Sequence, residues 1–185
     1  MTPRPTHVLR HEHRVIEQAL RALTGMRLKL KLGEAVPAEA LAQALDFIRH
    51  FTDQYHHRRE EDHLFPVLEA SGWGDAGGAL GFLHEEHLRE RELQAELELA
   101  IEEYGAGDAH AAQAIVNAAA QYTDHLLAHM EKEDTLLFRF AEDWLEEDAK
   151  VELIQRLSTN ANAIQAATAH RYEKLAAELE QAWAI

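Results

Sequence analysis

Two stretches decide the reading of this chain: HHRREEDHLF at residues 56–65 and HMEKEDTLLF at residues 129–138. Both follow one frame, H-x-x-x-E-[ED]-x-x-L-F. An α-helix turns about 100° per residue, so positions i and i+4 sit about 40° apart on one face. His56 and Glu60 therefore share a face, as do His129 and Glu133, while Glu61 and Asp134 lie about a further 100° round. Leu64, Phe65, Leu137 and Phe138 continue an apolar stripe, so the polar pairs look toward a core. Burying imidazole beside carboxylate is costly unless both are paired or bind metal. A single H-x-x-x-E pair is ordinarily a solvated ion pair on a helix. That explanation weakens when the same frame recurs on a second helix. Imidazole with carboxylate suits iron, manganese or zinc better than calcium or magnesium.

Working outward, apolar residues recur at helical spacing from Val8 to about Leu32, through Leu9, Ile16, Leu20, Leu23 and Met26. Gly33 and Pro37 mark the end of this first helix. A second helix is expected from near Ala38 to Ala70, kinked or ended by Pro66. Ser71 to Gly81 is the clearest loop. A third helix is expected from near Ala79 to Tyr104, broken by Gly105 and Gly107, and Asp108 can cap a fourth that reaches about Asp143. The tail, Glu146 to Ile185, reads as one broken helix or two shorter ones, with Ser158, Thr159 and Asn160 as the weak point. Because the second and fourth helices carry the repeated frame, the chain reads as one all-α domain. It holds a bundle over about 8–145 with two like halves, and a helical tail over 146–185.

Composition agrees. Ala, Leu, Glu and Gln dominate, and only 9 glycines and 4 prolines occur among 185 residues, a mix that favours helix. Net charge is −15 with histidine neutral, which argues against nucleic acid or an anionic membrane surface as partner. No apolar run is long enough to span a bilayer and no signal-peptide core is present. Cysteine is absent, so disulfides and thiolate sites are excluded, and a reducing, cytoplasmic setting is expected. Thirteen histidines are the unusual number.

His13, flanked by Leu9, Ile16 and Leu20, belongs to the apolar side of the first helix. His87, in Leu83-His84-Glu85-Glu86-His87, lies on a partly apolar face of the third. Each helix of the bundle thus offers one histidine. The order His13, His56-x-x-x-Glu60, His87, His129-x-x-x-Glu133 resembles the hemerythrin-like (HHE cation-binding) family, with EHRVIE at 12–17 as a further similar string. The resemblance covers about residues 8–145, and HRYEKLAAEL at 170–179 is similar to the tail of some bacterial members. It implies an antiparallel four-helix bundle, the architecture of myohemerythrin. It also implies two iron ions held by His13, His56, His87 and His129 as terminal ligands, with Glu60 and Glu133 bridging or capping. Oxygen-carrying members have two helix-three histidines four apart. Here Arg91 and Leu83 occupy the places four from His87, and His84, three before it, is a loose substitute. Their helix-four carboxylate lies five after the histidine, which would be Asp134 rather than Glu133. His57, Glu61 and His125 are further candidates, as extra ligands or as supports behind them. Fewer histidines and more carboxylates argue against reversible oxygen carriage.

The remaining histidines, His7, His11, His50, His63 and His110, read as solvated, and His170 as packing or surface. A ferritin-like reading needs E-x-x-H on two helices, and only Glu60-x-x-His63 is found. His84 to His87 is not H-E-x-x-H, and no P-loop, G-x-G-x-x-G or G-x-S-x-G occurs. The expected function is a non-haem di-iron protein that binds, senses or reacts with O2, peroxide or NO, or serves iron homeostasis. A zinc, manganese or mononuclear site, or a metal-free interaction module, is the alternative. Turnover and oligomeric state are not legible in the sequence.

Overall fold

The computed structural model describes residues 4–73, 78–108, 110–159 and 163–185, without the side chains of 159 and 163–166. Among the described residues six helices follow one another: α1 (His7–Lys31), α2 (38–70), α3 (Ala79–Gly105), α4 (111–143), α5 (Glu147–Thr159) and α6 (Ala163–Trp183). No strand occurs among the described residues. α1 packs on α2 and α4, and α3 packs on the same two, which closes a four-membered ring. Neighbours run antiparallel. Residues 49, 53 and 61 of α2 meet 98, 91 and 84 of α3 in that order. Along α4, 125 and 132 meet 90 and 86 of α3.

The helix ends follow the glycine logic of the sequence. Gly33 and Gly107 have φ of 78° and 88°, a left-handed conformation that side chains resist. There the N–H of Glu34 bonds to the carbonyl of Lys29 and that of Asp108 to Glu103, capping the last carbonyls of α1 and α3. The fourth helix begins at Ala111 rather than 108. Asp108 still serves it from two residues before the cap, its Oδ1 accepting from the backbone N–H of His110. The expected loop at 71–81 and the weak point at 158–160 fall partly outside the described residues, at 74–77 and 160. α5 ends at Thr159 and α6 begins at Ala163.

One expectation needs correction. The two frames are not plain α-helix. α2 is α-helical over Ala38–Phe47, π-helical over Ile48–His57 and Glu60–Leu64, and α-helical again over Phe65–Ala70; α4 is π-helical over Glu133–Leu137. A π turn closes i→i+5 bonds and so holds one residue more than an α turn. Pro66 consequently does not end α2. It sits in the first turn of an α segment that follows the π turn, where a missing N–H is tolerated.

The apolar core is divided. A larger cluster joins α1–α4 around Phe47, Leu97 and Tyr122 and takes in Tyr172 and Leu179 of α6. A second cluster gathers Leu9, Leu64, Phe65, Leu137 and Phe138 with Leu153 and Leu157 of α5. Between them lies a layer of fully buried histidines and glutamates. Each buried Leu or Phe is worth about 1.5–3 kcal/mol, so apolar packing above and below offsets the cost of keeping that layer dry.

Candidate metal centre

The layer is built from two histidine pairs and two carboxylates. The Nε2 atoms of His13 and His56 lie 3.0 Å apart, and those of His87 and His129 also 3.0 Å. Glu60 places Oε1 3.6 Å from His56 Nε2 and Oε2 3.6 Å from His87 Nε2. Glu133 places Oε2 3.3 Å from His13 Nε2 and Oε1 3.3 Å from His129 Nε2. Each carboxylate therefore offers one oxygen to one pair and the other oxygen to the other pair. None of the four oxygens meets hydrogen-bond geometry, although both residues are fully buried. Leaving such groups unpartnered costs on the order of 1–3 kcal/mol each, more when charged. The donors form two sets: His13, His56, Glu60 and Glu133, and Glu60, His87, His129 and Glu133. Within each set the ligand atoms lie within 4.8 Å of one another. Both carboxylates belong to both sets.

Outside this core each imidazole turns its Nδ1 toward a further carboxylate. His56 Nδ1 lies 2.9 Å from Glu12, His87 Nδ1 2.8 Å from Glu61, His129 Nδ1 3.1 Å from Glu86 and His13 Nδ1 3.4 Å from Asp134. An Nδ1–H directed at a carboxylate fixes the ring tautomer that leaves Nε2 free to ligate. Every one of these carboxylates is held in turn by a cation: Glu12 by Arg59, Glu86 by Lys132, Glu61 by Arg91 and Asp134 by Arg10. Arg59 also donates to the carbonyl of Leu157 in α5, tying the tail to the layer.

Electrostatics follow from burial. Desolvation lowers His56 and His57 well below the ordinary imidazole range, and the neutral ring is the ligating form. Burial resists charging both His129 and Glu133, but Glu133 with Glu86 and Glu90 together raise the histidine, and His129 with His13 hold the Glu133 carboxyl well below the usual range. Glu60 is raised by burial and by the charge of Glu133. Burial raises Glu12 to about 7 despite Arg59, and raises Glu90 to about 8. For Glu61 burial is overcome by hydrogen bonds from His87 and Arg91, which hold it at about 2.

The six leading candidates from sequence, His13, His56, Glu60, His87, His129 and Glu133, all come together here. Glu61 and Asp134 stand behind His87 and His13 rather than facing the core. His57 is buried beside His87 and His129 and forms a third set with them. His84 stays at the surface, its Nδ1 4.0 Å from Glu61. His125 is part-exposed, 3.7 Å from Glu90. Sequence reasoning missed Glu12, Glu86 and Glu90 and the four cations. A signal for the first two was present: Leu9-x-x-Glu12-His13 repeats as Leu83-x-x-Glu86-His87, an echo in the first and third helices that matches the one in the second and fourth.

A helical bundle with histidines and carboxylates from all four helices converging on one dry layer defines a cation-binding bundle. The family model for the hemerythrin HHE cation binding domain matches residues 4–141, and the chain belongs to that family. Three curated relatives, uncharacterized proteins of Mycobacterium bovis and of Mycobacterium tuberculosis strains CDC 1551 and H37Rv, are each 29% identical over 130 residues, 70% of this chain and 50% of theirs. The chain thus spans about half the length of the curated relatives it matches. No solved structure matches the chain. Among the described residues no helix is long and apolar enough to cross a membrane.

Proposed function

We propose that this chain holds two iron ions, bridged by Glu60 and Glu133, with His13 and His56 on one and His87 and His129 on the other. The same pair would bind or react with O2, peroxide or NO. One observation carries the reading: both buried glutamates divide their oxygens between the two histidine pairs. Two histidines and two carboxylate oxygens per metal leave coordination positions open, as non-haem iron sites that take small ligands require. When bound, iron supplies the redox chemistry. The chain's residues bind it, exclude water through the apolar clusters on either side, and hold each imidazole in its ligating tautomer through the outer carboxylates. A zinc reading is favoured by the same donor count, since two histidines and two carboxylates complete the four ligands that zinc prefers.

Iron loading followed by desalting should leave two irons per chain and a visible charge-transfer band. Two zinc ions that iron does not displace, with no colour, would establish the second reading. A plateau at one metal would defeat the paired site. Since all four helices donate, metal binding is also folding free energy. At a thousandfold excess over Kd the gain is about 4 kcal/mol, or a melting shift of roughly 8–16 °C for a chain of this size. The sign with pH follows from ligation: protonated imidazole cannot bind metal, so the shift should shrink on acidification. Calorimetry with and without chelator reads it.

A further inference from the structure

The halves of the bundle repeat position by position, on the outside as well as within. Val8 and Leu9 of α1 correspond to Phe82 and Leu83 of α3. Arg59 and Leu64 of α2 correspond to Lys132 and Leu137 of α4. Each set marks a groove where the start of one helix meets the end of the next. The two grooves differ in what they hold. α5 lies in the first. It packs on α2 over Glu60–Leu64 and Phe65–Ala70, and it buries Leu153 and Leu157 in one cluster with Leu9 and Leu64. These two leucines stand four apart and so share a face of α5. Leu157 lies in the last turn, where a helix leaves its carbonyls without internal partners. Arg59 donates to the carbonyl of Leu157 while it holds Glu12.

The second groove has a like floor and, among the described residues, no helix laid in it. It is a cavity of about 370 Å3 walled by Trp73, Phe82, Leu83, Leu136 and Leu137, with Lys132 as the one charged residue of its lining. Lys132 holds Glu86 as Arg59 holds Glu12, and its ammonium lies 5.1 Å from the centroid of the Phe82 ring. Phe82 and Leu136 are 56% and 64% exposed. Trp73 stacks on Phe140 and Phe140 on the exposed Trp144, so the apolar surface runs on past the cavity. Contiguous exposed apolar surface of this kind marks an interaction site.

We propose that the groove between α3 and α4 docks an amphipathic helix of a partner protein, seated as α5 is seated between α1 and α2. Two aliphatic side chains four residues apart fill the cavity, and the last turn of the partner helix caps on Lys132. The chain itself supplies the argument, because the corresponding groove holds such a helix in that relation to the corresponding cation. The charges agree as well: a helix C-terminus is the negative end of its dipole and is complementary to a lysine. A second copy of a chain with a net charge of −15 is the poorer occupant, since two such copies repel.

The probe is the α5 sequence itself, a peptide of residues 147–159 held helical by a hydrocarbon staple on its polar face. It is added to the full chain with Trp144 and Trp183 replaced by phenylalanine, so that Trp73 reports. Trp73 emission should shift to the blue and saturate. Phe82→Asp and Leu136→Asp, both at exposed positions and expected to keep the circular dichroism, should each weaken binding by more than about tenfold. Lys132→Gln should weaken it about two- to fivefold, the usual worth of a cation at a helix C-terminus. Aspartate in place of both peptide leucines should abolish it. Binding untouched by Phe82→Asp would put the peptide in the first groove and overturn the proposal, as would an unchanged Trp73 at every soluble peptide concentration. Sodium decanoate giving the shift where the peptide gives none would make the cavity a site for small amphiphiles. A dimer in the ultracentrifuge that Phe82→Asp dissolves, in a chain that ignores the peptide, would assign the groove to a second copy. Either result would overturn the partner helix.

Discussion

The half of the bundle made by α1 and α2 and the half made by α3 and α4 solve one problem with the same parts, and they differ beyond the six shared donors. Inside, both give a histidine pair member from each helix, a glutamate that spans the pairs, and a carboxylate one residue before the first histidine. Outside, the first half is covered by α6, with Tyr172 donating to Asp46 and Arg21 paired to Glu180. On α3, by contrast, Leu88 and Leu99 remain exposed. The duplicated parts are those the centre constrains from both sides. The unpaired parts answer to only one neighbour each, the tail in one case and the His87–His129 pair in the other.

The largest effect should come from the duplicated glutamates. On the proposed pair of metals, Glu60→Ala or Glu133→Ala would remove one oxygen from each position, so either change should empty both, by metal analysis normalised to folded protein. Their next residues, Glu61 and Asp134, only support a histidine on a neighbouring helix. Replacing either by alanine should weaken binding by roughly 10–100-fold, the usual cost of losing such a support. Equivalence of the halves breaks if Glu133→Ala stays loaded while Asp134→Ala is empty.

A smaller effect separates Arg59 from its counterpart Lys132. Both hold the carboxylate behind a histidine, but Arg59 is 8% exposed and also bonds to Leu157 of α5. The side chain of Lys132 is 38% exposed. Removing one member of a buried pair costs about 3–5 kcal/mol, and a solvated one about 0–1 kcal/mol. Urea unfolding of the metal-free chain should therefore find Arg59→Ala far more destabilising than Lys132→Ala. Equal losses would mean that the tail contact adds nothing.

Most of the fold and the convergence of the six leading candidates could be read from the sequence, because both rest on period. Helical spacing, glycine stops and a frame that recurs on two helices are local patterns, and Leu9, His13 and Ile16 show their face without any partner in view. The rest depends on what lies across a helix pair. Glu12 and Glu86 read as ordinary surface glutamates until His56 and His129 are placed beside them. Glu90 reads so until His57 is. The π turns were invisible for another reason: an extra residue per turn leaves no mark on composition, and α periodicity still placed His56 and Glu60 together. That periodicity sets His57, a further candidate, about 100° round from His56, and its full burial beside that residue accompanies the π turn.

The smallest effect tests the uneven cover. Gly25 of α1 lies under the end of α6, where an added Cβ would come 1.8 Å from the carbonyl oxygen of Trp183. In register with it on α3 stands Leu99, 57% exposed. Glycine inside a helix costs roughly 1 kcal/mol against alanine, so its presence in α1 is explained by the close approach of that backbone. Gly25→Ala should recover none of this cost, because the last turn of α6 must move away, and Trp183 should become more solvent-exposed. In a chain with Trp73 and Trp144 replaced by phenylalanine, its emission should shift to the red. Leu99→Gly should lose about 1 kcal/mol by helix propensity alone and leave that emission unchanged. If Gly25→Ala instead gains about 1 kcal/mol with Trp183 undisturbed, α6 does not seat on α1 at this point, and the two halves are equally bare there.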